Sequence, residues 1–394
     1  MVRRNKISPV MPVYNRAPVT MARGEGVYLI DDNGKRYLDF AAGIAVNSLG
    51  HCHPHLVDAL SAQARVLWHC SNLYQTAGLA RLAERLVEHS FADTVFFTNS
   101  GAEAVECGIK IVRKHHAAKG KPRPRIITIE GSFHGRTLAC ISAGKSTRAT
   151  EGYGPLLDGF DQVAFGDLAA MRAAIGPDTG GILLETVQGE GGVREHSTDY
   201  LRGVRTLANE HGLLLFLDEV QCGFGRTGTL FSYEPHGITP DICALAKGIG
   251  SGFPLGACLA TEHAASAMTT GTHGGTYGGN PLATAVGNAV LDIVLEDGFM
   301  QRVVQSGALL KSELQHAAQD FPDLIEEVRG LGLMLGIRMK VPSQEVVNQL
   351  REGGLLTVAT TADNVIRLLP PLIIDKTHVL EAVTILRQIC RNMV

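Results

Sequence analysis

LLLFLDEVQCGFGRTG, residues 213–228, is the stretch of sequence that decides the fold. An apolar run from Leu213 to Leu217 ends in two carboxylates, Asp218 and Glu219, and a glycine-rich loop follows. A continuous apolar run of this length is typical of a parallel strand that is buried on both faces. In open α/β sheets, ligands bind just beyond the carboxyl ends of the strands. The stretch therefore predicts an α/β fold in which Asp218 lies at the edge of a binding site.

A second apolar run, Ile242 to Ala246, ends in Lys247, and glycines follow at alternate positions. Two consecutive strand ends thus present one aspartate and one lysine. The pair could be an ion pair that closes the sheet, or it could bind a cofactor. Pyridoxal phosphate (PLP) requires a lysine amine for covalent attachment and a carboxylate that keeps its ring nitrogen protonated. Taken alone, the two residues favour the ion pair, and other motifs must decide.

Composition narrows the classes of partner. The chain has 394 residues, with 36 basic and 39 acidic side chains, so it carries no large charge of either sign. This balance argues against nucleic acid or an anionic membrane as the main partner. The first residues are positive, but no apolar segment of a signal peptide follows, and no apolar stretch is long enough to span a bilayer. We expect a soluble, cytoplasmic protein.

The eight cysteines are scattered and form no CxxC pair, so the sequence indicates neither a zinc ribbon nor a redox motif. Most of them are expected to pack as small apolar side chains. Cys222 is the exception because it follows the Asp218 motif; packing is favoured there too, with a nucleophile as the alternative. The motif HCHPH at 51–55 has three alternate histidines, but no other ligands support a metal site, and Pro54 suggests a turn into a helix. We predict no metal, with a metal hydrolase as the alternative that elemental analysis would test.

Apolar runs alternate with helical patterns through the middle of the chain, which predicts a mostly parallel sheet with right-handed crossovers. After about residue 290 the pattern changes to amphipathic helices near 299–318 and 378–392, with short strands around Leu331–Met339 and Val365–Leu369. We therefore expect a large domain and a smaller α+β domain formed by both chain ends. The expected segments are 1–49 and 291–394 for the small domain and 50–290 for the large one.

Several further motifs have side chains suited to a site at this sheet edge. The stretch after the predicted strand Thr94–Thr98 fits a capping box, with Ser100 as the N-cap and Glu103 three residues later. A helix that begins this way exposes free backbone N–H groups to a phosphate. The other candidates are FHGRT (133–137), with a stacking ring and a guanidinium that could bind a carboxylate; ETVQGEGG (185–192), with Glu190; GTHGGTYGGNP (271–281), with Thr276; and NVIRLLPP (364–371), with Arg367 inside an apolar strand.

Taken together and in this order, the motifs resemble those of the class III aminotransferases of PLP fold type I. The resemblance extends from LDFAAGIAVNSLGHCHP near the start to IRLLPPL near the end. FHGRT and HGGTYGGN narrow it to enzymes that act on acetylornithine. One departure is Thr186, where the family usually has proline.

The resemblance implies the following roles. Lys247 would hold PLP covalently and move the proton during amino transfer, and Asp218 would pair with the ring nitrogen. Arg136 and Arg367 would bind substrate carboxylates, with Glu190 neutralising Arg367 when the donor lacks a second carboxylate. The other implied cofactor-binding residues are Gly101 and Ala102 at the phosphate, Phe133, Glu219, Val220 and Gln221 around the ring, and Thr276 reaching the phosphate of a neighbouring subunit in a homodimer; Gly275 would line the substrate side.

The implied reaction transfers the δ-amino group of N2-acetyl-L-ornithine to 2-oxoglutarate, in arginine biosynthesis. The alternatives within the class are ornithine, succinylornithine, succinyldiaminopimelate and 4-aminobutyrate aminotransferases. A PLP-binding regulator without turnover is the alternative from a different class.

Overall fold

The computed structural model describes residues 8–360 and 362–394. The expectation about an N-terminal leader rests partly on residues 1–7, which lie outside the described residues. The strands are β1 (Met21–Glu25), β2 (Tyr28–Asp31), β3 (Arg36–Asp39), β4 (Thr94–Thr98), β5 (Arg125–Ile129), β6 (Phe160–Val163), β7 (Thr179–Leu184), β8 (Val187–Gln188), β9 (Arg194–Glu195), β10 (Leu214–Asp218), β11 (Ile242–Leu245), β12 (Gly256–Ala260), β13 (Ile325–Leu331), β14 (Met334–Met339), β15 (Leu355–Leu356), β16 (Val358–Ala359) and β17 (Val365–Leu368).

Helices pack on these strands and carry much of the buried apolar surface. They are α1 (Ala42–Ala45), α2 (Pro54–Ala64), α3 (Ala77–Glu88), α4 (Gly101–Ala118), α5 (Leu138–Gly144), α6 (Thr147–Thr150), α7 (Leu168–Ala174), α8 (Thr198–His211), α9 (Glu262–Ala265), α10 (Pro281–Val294), α11 (Phe299–Asp320), α12 (Ser343–Glu352) and α13 (Lys376–Met393). Among the described helices, none has the length and apolar content needed to cross a membrane.

The central sheet has seven strands in the order β4-β12-β11-β10-β7-β5-β6. Its pairs are parallel except for the two made by β12, which runs antiparallel to both β11 and β4. All residues of β7, β10, β11 and β12 are buried, as expected for strands covered on both faces. The predicted α/β fold with a mostly parallel sheet is confirmed.

The alignment of β10 with β11 brings the first two motifs together. Phe216 is paired with Ile242 and Asp218 with Ala244, so both strands end at the same edge of the sheet. Gly212 closes the preceding helix α8 with a φ of 62°, a conformation that glycine adopts without a steric penalty, and the chain enters β10 directly. Asp218 and Lys247 therefore leave neighbouring strand ends, as the sequence indicated.

Strands from the two ends of the chain share a sheet. β15 pairs in parallel with β3, and β2 and β3 form an antiparallel hairpin. A second sheet, in the order β13-β14-β17-β16, carries Arg367 on β17. The strand predicted around Leu331–Met339 is present as β14. The sequence analysis did not predict β13, which pairs antiparallel with β14 after Gly332, with a φ of 58°, reverses the chain.

Candidate active site

A cavity of about 450 Å³ lies at the carboxyl ends of the central strands. The loops after β4, β5, β7, β10 and β11 all contribute to its wall, which is the location expected for a ligand in an open α/β sheet. The structure brings together in its lining nine residues that the sequence assigned to the site: Gly101, Ala102, Phe133, Arg136, Glu190, Asp218, Val220, Gln221 and Lys247.

Lys247 presents its amine to this cavity from the turn that follows β11. Its backbone has a φ of 50°, in the left-handed region that residues other than glycine seldom adopt. Burial, together with the positive charge of Arg367, lowers the pKa of the amine to about 8, although Glu190, Asp218 and Glu185 act in the opposite direction. An amine with a pKa near neutral can release and take up a proton, as covalent and acid–base chemistry at a lysine require.

Asp218 is held from two sides. Its Oδ2 lies 2.7 Å from Nδ1 of His134, and its Oδ1 accepts a hydrogen bond of 3.1 Å from the backbone N–H of Val220. Burial by itself lowers the pKa of His134, but the hydrogen bond to Asp218 and its charge outweigh burial, and the pKa of His134 is raised. The imidazole therefore orients the carboxylate that the sequence assigned to the cofactor ring.

The N-terminus of α4 forms the opposite wall. The Ser100 side chain accepts a hydrogen bond from the backbone N–H of Glu103, as predicted for an N-cap. The reciprocal half of the predicted capping box is wrong: the Glu103 carboxylate accepts a hydrogen bond from the backbone N–H of Asn99, 2.6 Å away, and not from that of Ser100. Gly101 and Ala102 begin the helix, where backbone N–H groups have no partner within the helix. Both residues line the cavity, so this wall suits an anionic group.

Arg367 is nearly inaccessible, with 1% of its side chain exposed, and it lies behind the cavity lining. Its Nη2 is 2.5 Å from Oε1 of Glu190, and its Nη1 donates a hydrogen bond of 3.1 Å to Oε1 of Gln221. Arg136 is exposed at the mouth of the cavity, with its guanidinium carbon 5.3 Å from the centre of the Phe133 ring. The site thus holds one paired and one accessible guanidinium.

Three predicted residues lie away from this cavity within the chain. The carboxylate of Glu219 accepts hydrogen bonds from the backbone N–H groups of Ser232 and Tyr233, at 2.8 and 2.9 Å. Thr276 lines a separate small recess beside His69 and Asn72, and the carbonyl of Gly275 accepts a hydrogen bond from the Asn72 side chain. Their assignment to the cofactor or substrate stays a prediction.

The sequence reasoning missed several residues of the lining. Val46, Phe253, Pro254 and Leu255 form an apolar part of the wall. Val46 follows the turn Ala42–Ala45, which has positive φ angles throughout and turns in the left-handed sense. The sequence could have predicted that Phe253 to Leu255 line the cavity, because these residues directly follow the glycines after Lys247.

Two histidines of HCHPH, His51 and His55, pair with different aspartates. Nε2 of His51 is 2.8 Å from Oδ2 of Asp39, and Nε2 of His55 is 3.0 Å from Oδ2 of Asp292. In the described part of the chain, no group of three or more His, Cys, Asp or Glu side chains could hold a metal ion.

Cys222 is buried, and its sulfur lies 3.3 Å from the hydroxyl of Thr186. That hydroxyl also contacts the hydroxyl of Ser232.

The chemistry of this donor set fits PLP. Lys247 offers an amine with a lowered pKa, Asp218 offers a carboxylate, and the start of α4 offers backbone N–H groups for a phosphate. Gly101 lets the helix approach Val220 closely, since a Cβ at Gly101 would lie 2.7 Å from a methyl carbon of Val220. Phe133 and Val220 line the same cavity and suit a flat ring.

A family model described as aminotransferase class-III matches residues 10–390. Acetylornithine aminotransferase of Mesorhizobium japonicum is 57% identical over 381 residues, which cover 96% of this chain and 95% of that protein. The protein of the same name from Agrobacterium fabrum is 57% identical over 93% of this chain and 92% of its own length.

Two solved structures show the same fold. N-acetylornithine aminotransferase from Stenotrophomonas maltophilia superposes with a TM-score of 0.85 at 37% identity and covers 96% of this chain and 97% of its own. An ornithine aminotransferase from Toxoplasma gondii, whose structure is described as having PLP in partial occupancy at the active site, has a TM-score of 0.91 at 31% identity and covers 95% and 91% of the two chains. With a family model that matches nearly the whole chain and relatives more than half identical to it, this protein belongs to the class III aminotransferases, a family of PLP enzymes.

Proposed function

We propose that the protein transfers the δ-amino group of N2-acetyl-L-ornithine to 2-oxoglutarate, and that it does so in arginine biosynthesis. The observation that carries the proposal is the salt bridge of Arg367 and Glu190 in the wall of a cavity that also holds Lys247 and the exposed Arg136. The names of the relatives that are 57% identical over nearly the whole chain support the choice of donor.

Charge explains how one cavity would accept both substrates. Arg136 would bind the α-carboxylate of the donor, and a bidentate guanidinium–carboxylate pair fixes its orientation. Acetylation removes the positive charge of the donor's α-amine, so the cavity needs no anion for that group. The apolar lining of Val46 and Phe253 suits the acetyl methyl group. Arg367 would stay neutralised by Glu190 during this half of the reaction.

The acceptor has two carboxylates and would use both arginines. Arg136 would bind the distal carboxylate of 2-oxoglutarate, and the α-carboxylate would displace Glu190 from Arg367. Glu190 can move because 19% of its side chain is exposed, whereas Arg367 is almost fully enclosed. A buried guanidinium left without any partner is costly, so one of the two anions should occupy it at each stage.

The remaining residues would hold the cofactor and handle the proton. When bound, PLP supplies a conjugated, electron-withdrawing ring that stabilises negative charge at the reacting carbon. Asp218, oriented by His134, would keep the ring nitrogen protonated, and Gln221 would donate a hydrogen bond to a ring oxygen. The Lys247 amine would take the proton from the donor carbon and deliver it on the cofactor side.

We infer further that the protein works as a symmetric homodimer whose active sites include residues of both subunits. Large apolar side chains are exposed near the recess that contains Thr276, with Leu73 at 84%, Tyr74 at 71% and Tyr277 at 61% exposure. Such a patch is typical of an interaction surface. A partner's Thr276 loop would complete the phosphate site, and sedimentation would test the dimer.

The small domain assigned to 1–49 and 291–394 stays a prediction, which limited proteolysis would test. A cytoplasmic location also stays a prediction, which cell fractionation would test.

A half-reaction with single turnover tests the donor. The PLP-loaded enzyme is mixed, without 2-oxoglutarate, with N-acetylornithine, ornithine, succinylornithine or 4-aminobutyrate, and the loss of the absorbance of the lysine-bound cofactor is followed. We expect fast conversion with N-acetylornithine and slow conversion with free ornithine. A preference for another donor would replace the substrate but keep the class of reaction, and failure of every donor to bind would favour a regulatory role.

A further inference from the structure

Three titratable groups are packed together in the wall beneath the cavity, and one of them, Glu185, has no assigned role. Asp218, His134 and Glu185 are each exposed by 4% or less. Glu185 follows β7, His134 lies in the loop after β5, and Asp218 ends β10, so adjacent parallel strands bring them to one place. Glu185 lines the cavity together with Asp218 and Lys247.

The carboxyls of Asp218 and Glu185 have different hydrogen-bond partners. Asp218 has the His134 imidazole at 2.7 Å, a donor that can also carry positive charge. The partners of Glu185 among the described residues are neutral: its Oε1 accepts from the backbone N–H of Phe133 at 3.0 Å and its Oε2 from that of Gly189 at 3.1 Å. Two buried carboxyls that share one site do not both ionise readily, and the one without a cationic partner is the one that keeps a proton.

Other charged groups around Glu185 do not reverse this assignment. The titratable groups that interact electrostatically with Glu185 are Asp218, His134, Lys247, Arg194 and the Cys222 thiol. Arg194 is directed elsewhere, since its guanidinium donates to Gln188 and to the carbonyl of Glu130. Burial, followed by the charge of Asp218, raises the pKa of Glu185 to about 7, although His134 and the two backbone N–H groups oppose the shift.

We propose that Glu185 is a positioning residue that holds a proton beside Asp218 up to neutral pH, so that over this range the two buried carboxyls carry a single negative charge and Asp218 is the one that presents it to the cofactor. A second negative charge here would raise the pKa of the neighbouring titratable groups, including that of the Lys247 amine. Ionisation of Glu185 releases its proton to solvent through the cavity. The inference rests on the proposed function only through the role of Asp218 and is independent of which donor is used.

Infrared difference spectroscopy of the PLP-loaded enzyme, without any donor, tests the protonation directly. The spectrum of wild type minus Glu185→Gln, recorded from pH 6 to pH 9, isolates the carboxyl of Glu185 from other buried acids such as Glu219. We expect a protonated carboxyl band at pH 6 that is lost with a midpoint near 7, and a shift of the cofactor absorbance over the same interval that the variant lacks. Glu130→Gln, at an exposed carboxylate on the neighbouring loop, is the matched control and should retain both changes.

A second variant tests the coupling to Asp218 and remains informative if Glu185→Gln folds poorly. Asp218→Asn removes the neighbouring negative charge, so the loss of the protonated carboxyl band should move to lower pH by about one unit or more. A carboxylate band at every pH, or a midpoint that Asp218→Asn leaves in place, overturns the proposal. Because no donor is present, rejection of N-acetylornithine in the half-reaction would overturn the proposed function and leave this inference standing.

Discussion

Arg367 and Glu190 form a salt bridge inside the wall of the cavity, with Nη2 and Oε1 2.5 Å apart. They are 177 residues apart in the chain: Arg367 is on β17, and Glu190 lies in the turn between β8 and β9. Gln221 is the other side chain to which Arg367 donates a hydrogen bond among the described residues. Among the described residues, neutralisation of this arginine therefore depends on one partly exposed carboxylate.

Glu190→Ala should change the balance of the two half-reactions. The unpaired Arg367 would attract the α-carboxylate of the donor into the wrong position, so the donor half-reaction should slow by about 10- to 100-fold, equivalent to roughly 1.4–2.7 kcal/mol. The 2-oxoglutarate half-reaction should change far less, because its carboxylate replaces Glu190. Single-turnover rates measure both. Glu195→Ala, an exposed carboxylate nearby, is the control, and equal losses in both half-reactions would contradict the role of Glu190.

Lys247→Ala should abolish turnover while PLP still binds without covalent attachment. Loss of the amine removes both the attachment point and the proton carrier, so we expect a fall in rate of at least about 10³-fold. Borohydride reduction followed by mass spectrometry reports attachment, and equilibrium dialysis reports binding. Lys110→Ala, on the exposed face of α4, should behave as wild type. Wild-type transamination by Lys247→Ala would refute the assignment.

His196 should make the protein sensitive to acid. Its ring is stacked between Phe165 and Tyr200, with centroids 4.1 and 4.5 Å away, and neither ring nitrogen has a hydrogen-bond partner among the described residues. Burial, with help from the charge of Arg194, lowers the pKa of His196 to about 3. Below pH 6.5, His196 therefore binds a proton in the unfolded chain but stays neutral in the folded chain. Stability is lost as pH falls from 6.5 toward 3.

At pH 5 this difference corresponds to about 2 kcal/mol of unfolding free energy. His196→Phe keeps the stacking and cannot titrate. We expect the decrease in melting temperature between pH 7 and pH 5 to be smaller in this variant than in wild type. His211→Phe, at an exposed helix end, is the control, and identical acid sensitivity of wild type and His196→Phe would exclude this explanation.

Arg226 should contribute to stability although it has no acidic partner among residues 8–360 and 362–394. It is 2% exposed, and its Nη1 donates to the carbonyl of Leu333 at 3.0 Å and to that of Pro370. Arg226→Met leaves both carbonyls unpaired but removes a buried charge, so we expect a loss of about 2 kcal/mol in unfolding free energy. Denaturant titration measures it, with Arg172→Met, which is 58% exposed, as the control. If Arg226→Met were more stable than wild type, the free-energy cost of burying the guanidinium would exceed the stabilisation from its hydrogen bonds.

Much of the site was predictable because strand ends are local features of the sequence. The runs that end in Asp218 and Lys247 are entirely apolar, and β10 and β11 lie within one residue of the predicted bounds. Ser100 as an N-cap depends on contacts within four residues. The antiparallel β12 was not anticipated, because a short buried run has the same pattern whichever direction it takes in the sheet.

The sequence by itself determined the α/β class, the two strand ends and the chemical types of the side chains, since hydrophobic periodicity and helix capping act over a few residues. Only the tertiary structure decided which charges meet. The salt bridge of Arg367 with Glu190, the contact of His134 with Asp218 and the location of Glu185 beside both depend on distant segments packing around one cavity. Electrostatic interactions follow distance in space and local burial, and neither can be read from separation along the chain.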